Sequence, residues 1–162
     1  ASFENLQKQF KDRTIRKSYI ALVHGKIVGE GSINVPIGRL PWNRMRFGVI
    51  SNGREAFTEF KLKEYLTKIT KKRKEELSLI EVFPRTGRTH QIRVHFQYAG
   101  FPIFSDTLYA GRKVLREDKK LLGRHFLHAS KIEFLHPKNQ EIMTFEAPLS
   151  NDLQDFLGNL KV

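Results

Sequence analysis

Residues 77 to 100, "LSLIEVFPRTGRTHQIRVHFQYAG", change their hydrophobic period in mid-run. The first part, through Phe83, is dense in large and β-branched side chains and suits a central strand. Pro84 and Gly87 break it. Beyond them Ile92, Phe96 and Ala99 recur at i, i+4 and i+7, the buried stripe of a helix expected from about His90 to Ala99. Thr89 is the expected N-cap and Gly100 the stop. His90, Arg93 and Gln97 then share a different face. A strand that turns into a helix over so few residues leaves little freedom. The helix must lie back on a sheet, and the turn between them offers free N–H groups at one corner.

The remaining elements fit that start. Phe3, Leu6 and Phe10 fall on one face of a first helix. "KSYIALVHG" suits a strand ending at Gly25, and "GSINVPI" a short one with Pro36 near its end. Residues 38 to 53 show no clean period and are expected to form a basic loop. "EAFTEFKLKEYL" alternates like a strand with one wet face, and "TKITKKRKEE" suits a charged hairpin connection. "FLHASKIEFLHP" and "EIMTFEAP" suit a hairpin joined by "KNQ". Ser150 could cap a last helix through Leu153, Phe156, Leu157 and Leu160. No internal repeat or long Gly/Ser linker interrupts the 162 residues. The expected fold is one α+β domain: a mixed, largely antiparallel sheet with a few packed helices.

Charge narrows the partners. Lysines and arginines number 29 against 17 carboxylates, a net charge of +12. A field of that sign draws in polyanions. RNA or DNA fits better than an anionic membrane, because no basic amphipathic helix stands out. No stretch approaches the ~18 apolar residues of a membrane span. There is no cysteine, so disulfides and thiolate–metal sites are excluded, which suits a reducing, cytoplasmic setting. The start, "ASFENLQKQF", has no signal-peptide core and no initiator methionine. Removal of a methionine before Ala1 and a start within a longer protein both fit.

Five arginines are candidate RNA contacts. Arg85 and Arg88 flank the glycine turn, where a guanidinium can grip a phosphate bidentately. Arg39, Arg44 and Arg46 stand in the basic stretch beside Trp42 and Phe47. The bland alternative is a set of solvated surface charges. Arg93, one turn inside the helix and off its apolar stripe, better suits a buried carboxylate. Tyr19 is either a core tyrosine or a stacking platform for a base. The histidines form no metal pair. His90 and His95 sit about 140° apart around a helix, and His125 and His128 face opposite sides of a strand.

The run "RTGRTHQIRVHFQYAGFPIFSDTLYAG" resembles the C-terminal motif of pseudouridine synthases of the RluA class. "RKSYIALVHGKI" is similar to that family's K-x-Y-x-A-x-V-x-G strand, and "GREAFTEFKLKEY" to its K-x-A-x-T-x-Y segment. "FLHASKIEFLHP" and "FEAPL" are similar to its ending. Phe101 and Ser105 depart from the usual His and Gly. The resemblance implies an RNA-modifying isomerase that breaks the N1–C1′ bond of a uridine, turns the base and joins C5 to C1′. It implies no cofactor and no metal. It makes Arg93 the partner of the essential aspartate of an H-R-L-D motif. Tyr19 becomes the residue that stacks on the base and takes the C5 proton, and Leu127 part of the pocket wall. Extrusion of the uridine from its stack is the general route to chemistry on a base.

None of Asp12, Asp106, Asp118, Asp152 and Asp155 stands in H-R-L-D, and Asp106 matches a structural aspartate of the family. Residues 1–162 are therefore expected to be the C-terminal portion of a single catalytic domain, its nucleophile lying upstream. RNA is the expected partner, ribosomal RNA ahead of transfer RNA, and the protein is expected to be a monomer. An RNA-binding module without catalysis is the alternative; an unrelated histidine-based nuclease is a third class. The 162-residue polypeptide alone should release no tritium from uracil-C5-labelled ribosomal or transfer RNA. Release at the rate of a full-length control would place the nucleophile within residues 1–162.

Overall fold

Alternation along two strands, β1 (Arg16–His24) and β6 (Lys74–Pro84), decides the architecture. The computed structural model describes residues 1–69 and 74–160. In β1, Ala21 and Val23 face one side of the sheet and Leu22 the other; in β6, Ile80 and Val82 oppose Leu77 and Leu79. All seven are at most 5% exposed, so both faces of these strands must be covered. Helix α2 (Gln91–Tyr98) covers the first face through Ile92 and Phe96. Helix α4 (Asn151–Gly158) covers the second through Leu153 and Phe156.

Six strands form the sheet. They lie in the order β2 (Glu30–Asn34), β5 (Phe57–Ile69), β6, β1, β7 (Leu127–Leu135) and β8 (Ile142–Glu146). Every ladder between them is antiparallel. Tyr19 in β1 pairs with Val82 on one side and Ala129 on the other. Helix α1 (Ser2–Lys11) leads into β1, and Gln9 ties it to Leu135: its amide nitrogen donates to the Leu135 carbonyl at 2.7 Å and its oxygen accepts the Leu135 N–H at 2.9 Å. The α+β class with an antiparallel sheet agrees with the sequence reading.

Four local expectations are corrected. Residues 38–53 are not a loop: β3 (Ile37–Leu40) and β4 (Asn43–Val49) form a separate antiparallel hairpin. Gly38 opposes Gly48 in it, and a register shift at Arg39/Leu40 interrupts the alternation. The stretch "GSINVPI" splits, because Pro36 falls between β2 and β3. The helix after the glycine turn starts at Gln91, one residue later than expected. Its N-cap is His90, held at φ 56°, rather than Thr89. Ala99 is exposed, and Val94 and His95 are buried instead. Strands β5 and β6 run into the stretch expected as a connection, up to Ile69 and from Lys74; residues 70–73 lie outside the described residues. A further helix, α3 (Arg112–Asp118), has no apolar stripe to announce it.

Helix α3 delivers Asp118 to a buried ionic cluster. Asp118 is fully buried and accepts from His24 Nε2 at 2.7 Å, Lys68 Nζ at 2.9 Å and the Ser105 N–H at 3.0 Å. His24 Nδ1 meets Glu75 at 2.9 Å, and Lys68 reaches the same carboxylate at 2.8 Å. Burial opposes charge on His24, but its bonds to Asp118 and Glu75 outweigh this and lift its pKa above the ordinary 6.5. A raised value means that this stabilisation is complete below pH 6.5 and is lost as pH rises through the folded value. Lys68→Met leaves Asp118 with His24 as its cationic partner among the described residues. Removing one member of a buried pair costs about 3–5 kcal/mol. Urea unfolding should show a loss of that order, growing as pH rises from 6.5 through the folded value and the imidazole discharges. A loss of stability that stays constant across that range would remove His24 from the cluster.

Candidate active site

The glycine turn is held by one side chain amide. Gln91, 4% exposed, uses its whole hydrogen-bonding capacity. Its oxygen accepts from Thr86 Oγ1 at 2.7 Å and from the Arg88 N–H at 3.0 Å. Its nitrogen donates to the Phe57 carbonyl at 3.0 Å and to Thr58 Oγ1 at 2.9 Å. Thr86 Oγ1 in turn accepts the Phe57 N–H at 3.0 Å. His95 completes the chain. Its Nε2 donates to the Val35 carbonyl at 3.0 Å, so its Nδ1 accepts the Thr58 hydroxyl proton at 2.8 Å. Burial keeps that imidazole neutral by pushing its pKa down. The segments "GREAFTEF" and "RTGRTHQIRVH" are thus two halves of one polar network.

Beside this corner Arg93 forms a planar two-point contact with Asp106, Nε to Oδ2 and Nη2 to Oδ1, both at 2.8 Å. Asp106 is fully buried and also accepts the N–H groups of Leu108 and Tyr109 at 2.9 and 3.1 Å. Burial disfavours its charge, but Arg93 and these backbone donors prevail and hold the carboxyl below its usual range. The same partner raises the Arg93 pKa against the pull of burial. Tyr109 lies under both Arg93 and Arg46, each guanidinium carbon 5.1 Å from the ring centroid. Its hydroxyl accepts the Phe47 N–H at 3.1 Å and meets His90 Nδ1 at 3.0 Å. The sequence reading gives Arg93 a carboxylate partner on an upstream segment; among the described residues its partner is Asp106.

Arg93, Tyr19 and Leu127 line one open cavity of about 300 Å³, together with Lys17, His90 and His125. They come from α2, β1 and β7, three elements distant in sequence. Burial raises the Tyr19 phenol and lowers the Lys17 ammonium. Burial first, then Arg93, keeps His90 and His125 below the ordinary imidazole value. The cavity therefore carries the cationic side chains of Arg93, Arg88 and Lys17 beside imidazoles biased toward their neutral form. No group of three His, Cys, Asp or Glu side chains that could hold a metal occurs among the described residues.

The five arginines separate. Arg88 borders both this cavity and a second one, and its Nε donates to the Glu55 carbonyl at 2.8 Å. Arg39 also lines the second cavity. Arg44 is exposed on β4, and Arg46 leans on Tyr109. Arg85 faces a different groove, beside Phe60 and Lys61, and is paired with Glu59. Sequence reasoning missed Gln91, Thr58, Thr86, His95 and Tyr109. The usable signal was Thr58, which stands two residues after the buried Ala56 at the start of β5 and so had to bury a hydroxyl.

A family model described as RNA pseudouridylate synthase matches residues 1–98. The chain belongs to that family. An uncharacterized RNA pseudouridine synthase of Chloroflexus aurantiacus is 39% identical over 160 residues, covering 99% of this chain and 47% of the relative. Ribosomal large subunit pseudouridine synthase D of Neisseria meningitidis serogroup B is 37% identical over 166 residues, 98% of this chain and 42% of the relative. The solved structure of human RNA Pseudouridylate Synthase Domain Containing 1 superposes with a TM-score of 0.77 at 26% identity, covering 94% of this chain and 63% of that one. The synthase-family chain thus spans about half the length of the curated relatives it matches.

The Gln91 network yields a direct test of this corner. Gln91→Leu leaves the Arg88 N–H and the Thr86 hydroxyl proton without an acceptor, while the Phe57 carbonyl keeps the Arg85 N–H. Each stranded buried group costs about 1–3 kcal/mol. Denaturant unfolding should register a loss of several kcal/mol by that count, and the Arg88 amide should exchange faster with solvent. Unchanged exchange at Arg88 would show that the turn holds without the amide.

Proposed function

We propose that this chain is the C-terminal portion of the catalytic domain of an RNA pseudouridine synthase. In this reading the Tyr19–Arg93–Leu127 cavity receives a uridine extruded from ribosomal RNA. The observation that carries the reading is the convergence of those three residues, from three separate elements, on one cavity. The family resemblance assigns the same three to the uridine pocket. The substrate is ribosomal rather than transfer RNA, in keeping with the name of the Neisseria relative. The enzyme works in the cytoplasm as a monomer and needs neither metal nor cofactor.

The chemistry follows from the cavity. The nucleophilic carboxylate belongs to an H-R-L-D segment outside these residues, and Arg93 supplies its counter-charge. Asp106 occupies Nε and Nη2 of Arg93, which leaves Nη1 as the edge that a second carboxylate can use. Asp106 fixes the plane of the guanidinium, so that edge is oriented before substrate arrives. Leu127 closes the apolar side of the base. Tyr19 stacks on it; burial keeps its phenol protonated, which suits stacking and a hydrogen bond. Taking the C5 proton then requires the phenolic proton to leave for another acceptor.

Arg93→Ala in the full-length enzyme should lower turnover by about 10²-fold or more, the scale of a misplaced reacting group, with RNA affinity little changed. Arg93→Lys should not restore activity, because an ammonium cannot hold Asp106 and a second carboxylate in one plane. Tritium release and filter binding measure the two quantities. Near-normal turnover of Arg93→Ala would end the assignment.

A further inference from the structure

The second cavity, of about 340 Å³, lies between the β3–β4 hairpin and the glycine turn. Arg39, Arg54 and Arg88 line it with Asn52, and no carboxylate residue is among its walls. It shares Gly87 and Arg88 with the Tyr19–Arg93 cavity, so the two adjoin. Arg54 is fixed by its backbone. Its N–H donates to the Ile37 carbonyl at 2.8 Å, and its carbonyl accepts the Ile37 N–H at 2.9 Å. That approach is close enough to require glycine at position 53, where a Cβ would come within 2.7 Å of the Ile37 backbone.

Arg39 and Arg88 are tied to backbone carbonyls, and none of the three arginines forms an ion pair with a carboxylate among the described residues. Arg39 donates to the Arg44 carbonyl at 3.2 Å and stacks on Phe47, its carbon 5.2 Å from the ring centroid. Arg88 donates to the Glu55 carbonyl. The arginines that form ion pairs with carboxylates among the described residues are others: Arg85, Arg93 and Arg124. Burial first, and then the nearby Arg54 and Arg13, make it harder to keep Arg88 charged, and outweigh the opposing pull of Glu55. Like charges crowded into a concave wall repel one another, and an anion seated there relieves the repulsion.

We propose that this cavity is a backbone subsite: Arg54, Arg39 and Arg88 hold the phosphodiester of the nucleotide next to the extruded uridine. The inference rests on the uridine-pocket reading given above. It adds Arg54, which nothing in the sequence singled out, and it separates Arg54, Arg39 and Arg88 from Arg85, which is paired elsewhere. Gripping a flanking phosphate fixes the strand while the base leaves its stack, a contact that carries position rather than sequence. An open wall at Gly87 keeps the path between the two cavities clear, since even a Cβ there would meet only Lys17 Nζ, at 3.6 Å.

The test uses the full-length enzyme and a uridine-centred single-stranded RNA. One series of this RNA carries a neutral methylphosphonate at each phosphate in turn. Arg54→Gln should flatten the log–log dependence of affinity on salt by about 0.7, the value for one phosphate contact on a single strand. Arg54→Lys, which keeps the charge, should not. In the wild type, one methylphosphonate beside the target uridine should weaken binding; in Arg54→Gln that same substitution should cost nothing further. A thermal melt equal to wild type certifies the fold of each variant. An unchanged slope in Arg54→Gln, with wild-type pseudouridine formation intact, overturns the subsite and leaves the pocket reading standing. Absence of pseudouridine from the wild type overturns the pocket reading and, with it, this proposal. Loss of polyglutamate binding in Arg54→Gln with RNA binding unchanged would assign the cavity to an acidic protein segment and overturn it as well.

Discussion

The Gln91 amide is the point on which the candidate site depends. Four hydrogen bonds leave it in four directions, to the turn, to β5 and to two hydroxyls. Gln91, Thr58 and Thr86 are each at most 4% exposed, so the amide is the means by which the polar groups of a sharp turn are satisfied away from water. With the turn fixed, α2 can begin at Gln91 and project Arg93 toward Asp106. A hydrophobic contact could hold the same elements together, but it would not dictate their rotation.

Electrostatics then divides the molecule in two. On one side of the sheet, Asp118, His24, Lys68 and Glu75 compensate one another in the interior. On the other, Asp106 takes only part of one arginine's donors, while Arg39, Arg54 and Arg88 keep their charge toward open cavities. A net charge of +12 is thus not spread evenly in effect. The compensated cluster serves the fold, and the uncompensated cations give the side with the two cavities its positive field. Tyr109 joins the parts of that side, because the ring under Arg93 also anchors the Phe47 backbone of the hairpin.

Much of the fold was legible because β1, β5 and β6 carry dense or alternating apolar residues, which only a sheet buried on one or both faces can use. The hairpin at 37–49 was not. Glycines at 38 and 48 put no side chain on a face, and the register shift breaks the alternation that a reader counts. Helix α3 escaped for a different reason: its purpose is to bury a charge, Asp118, and that is invisible to hydrophobic period. For the site, Arg93 was recognisable as an arginine seeking a carboxylate, since it stands off the apolar stripe. That its partner here is Asp106 depends on a turn thirteen residues downstream, which no local pattern encodes.

The strand order has a consequence for how the chain is made. Strand β1 is made before both of its neighbours, β6 and β7, which lie far downstream of it. Until then its central residues, apolar on both faces, have no sheet to join. The wall that faces Tyr19 is completed only when Leu127 arrives on β7. A nascent or truncated chain that stops before β7 displays the basic hairpin and its arginines but lacks the Leu127 wall of the cavity. A cationic surface therefore precedes the complete cavity, and β7 turns a general polycation into a shaped pocket.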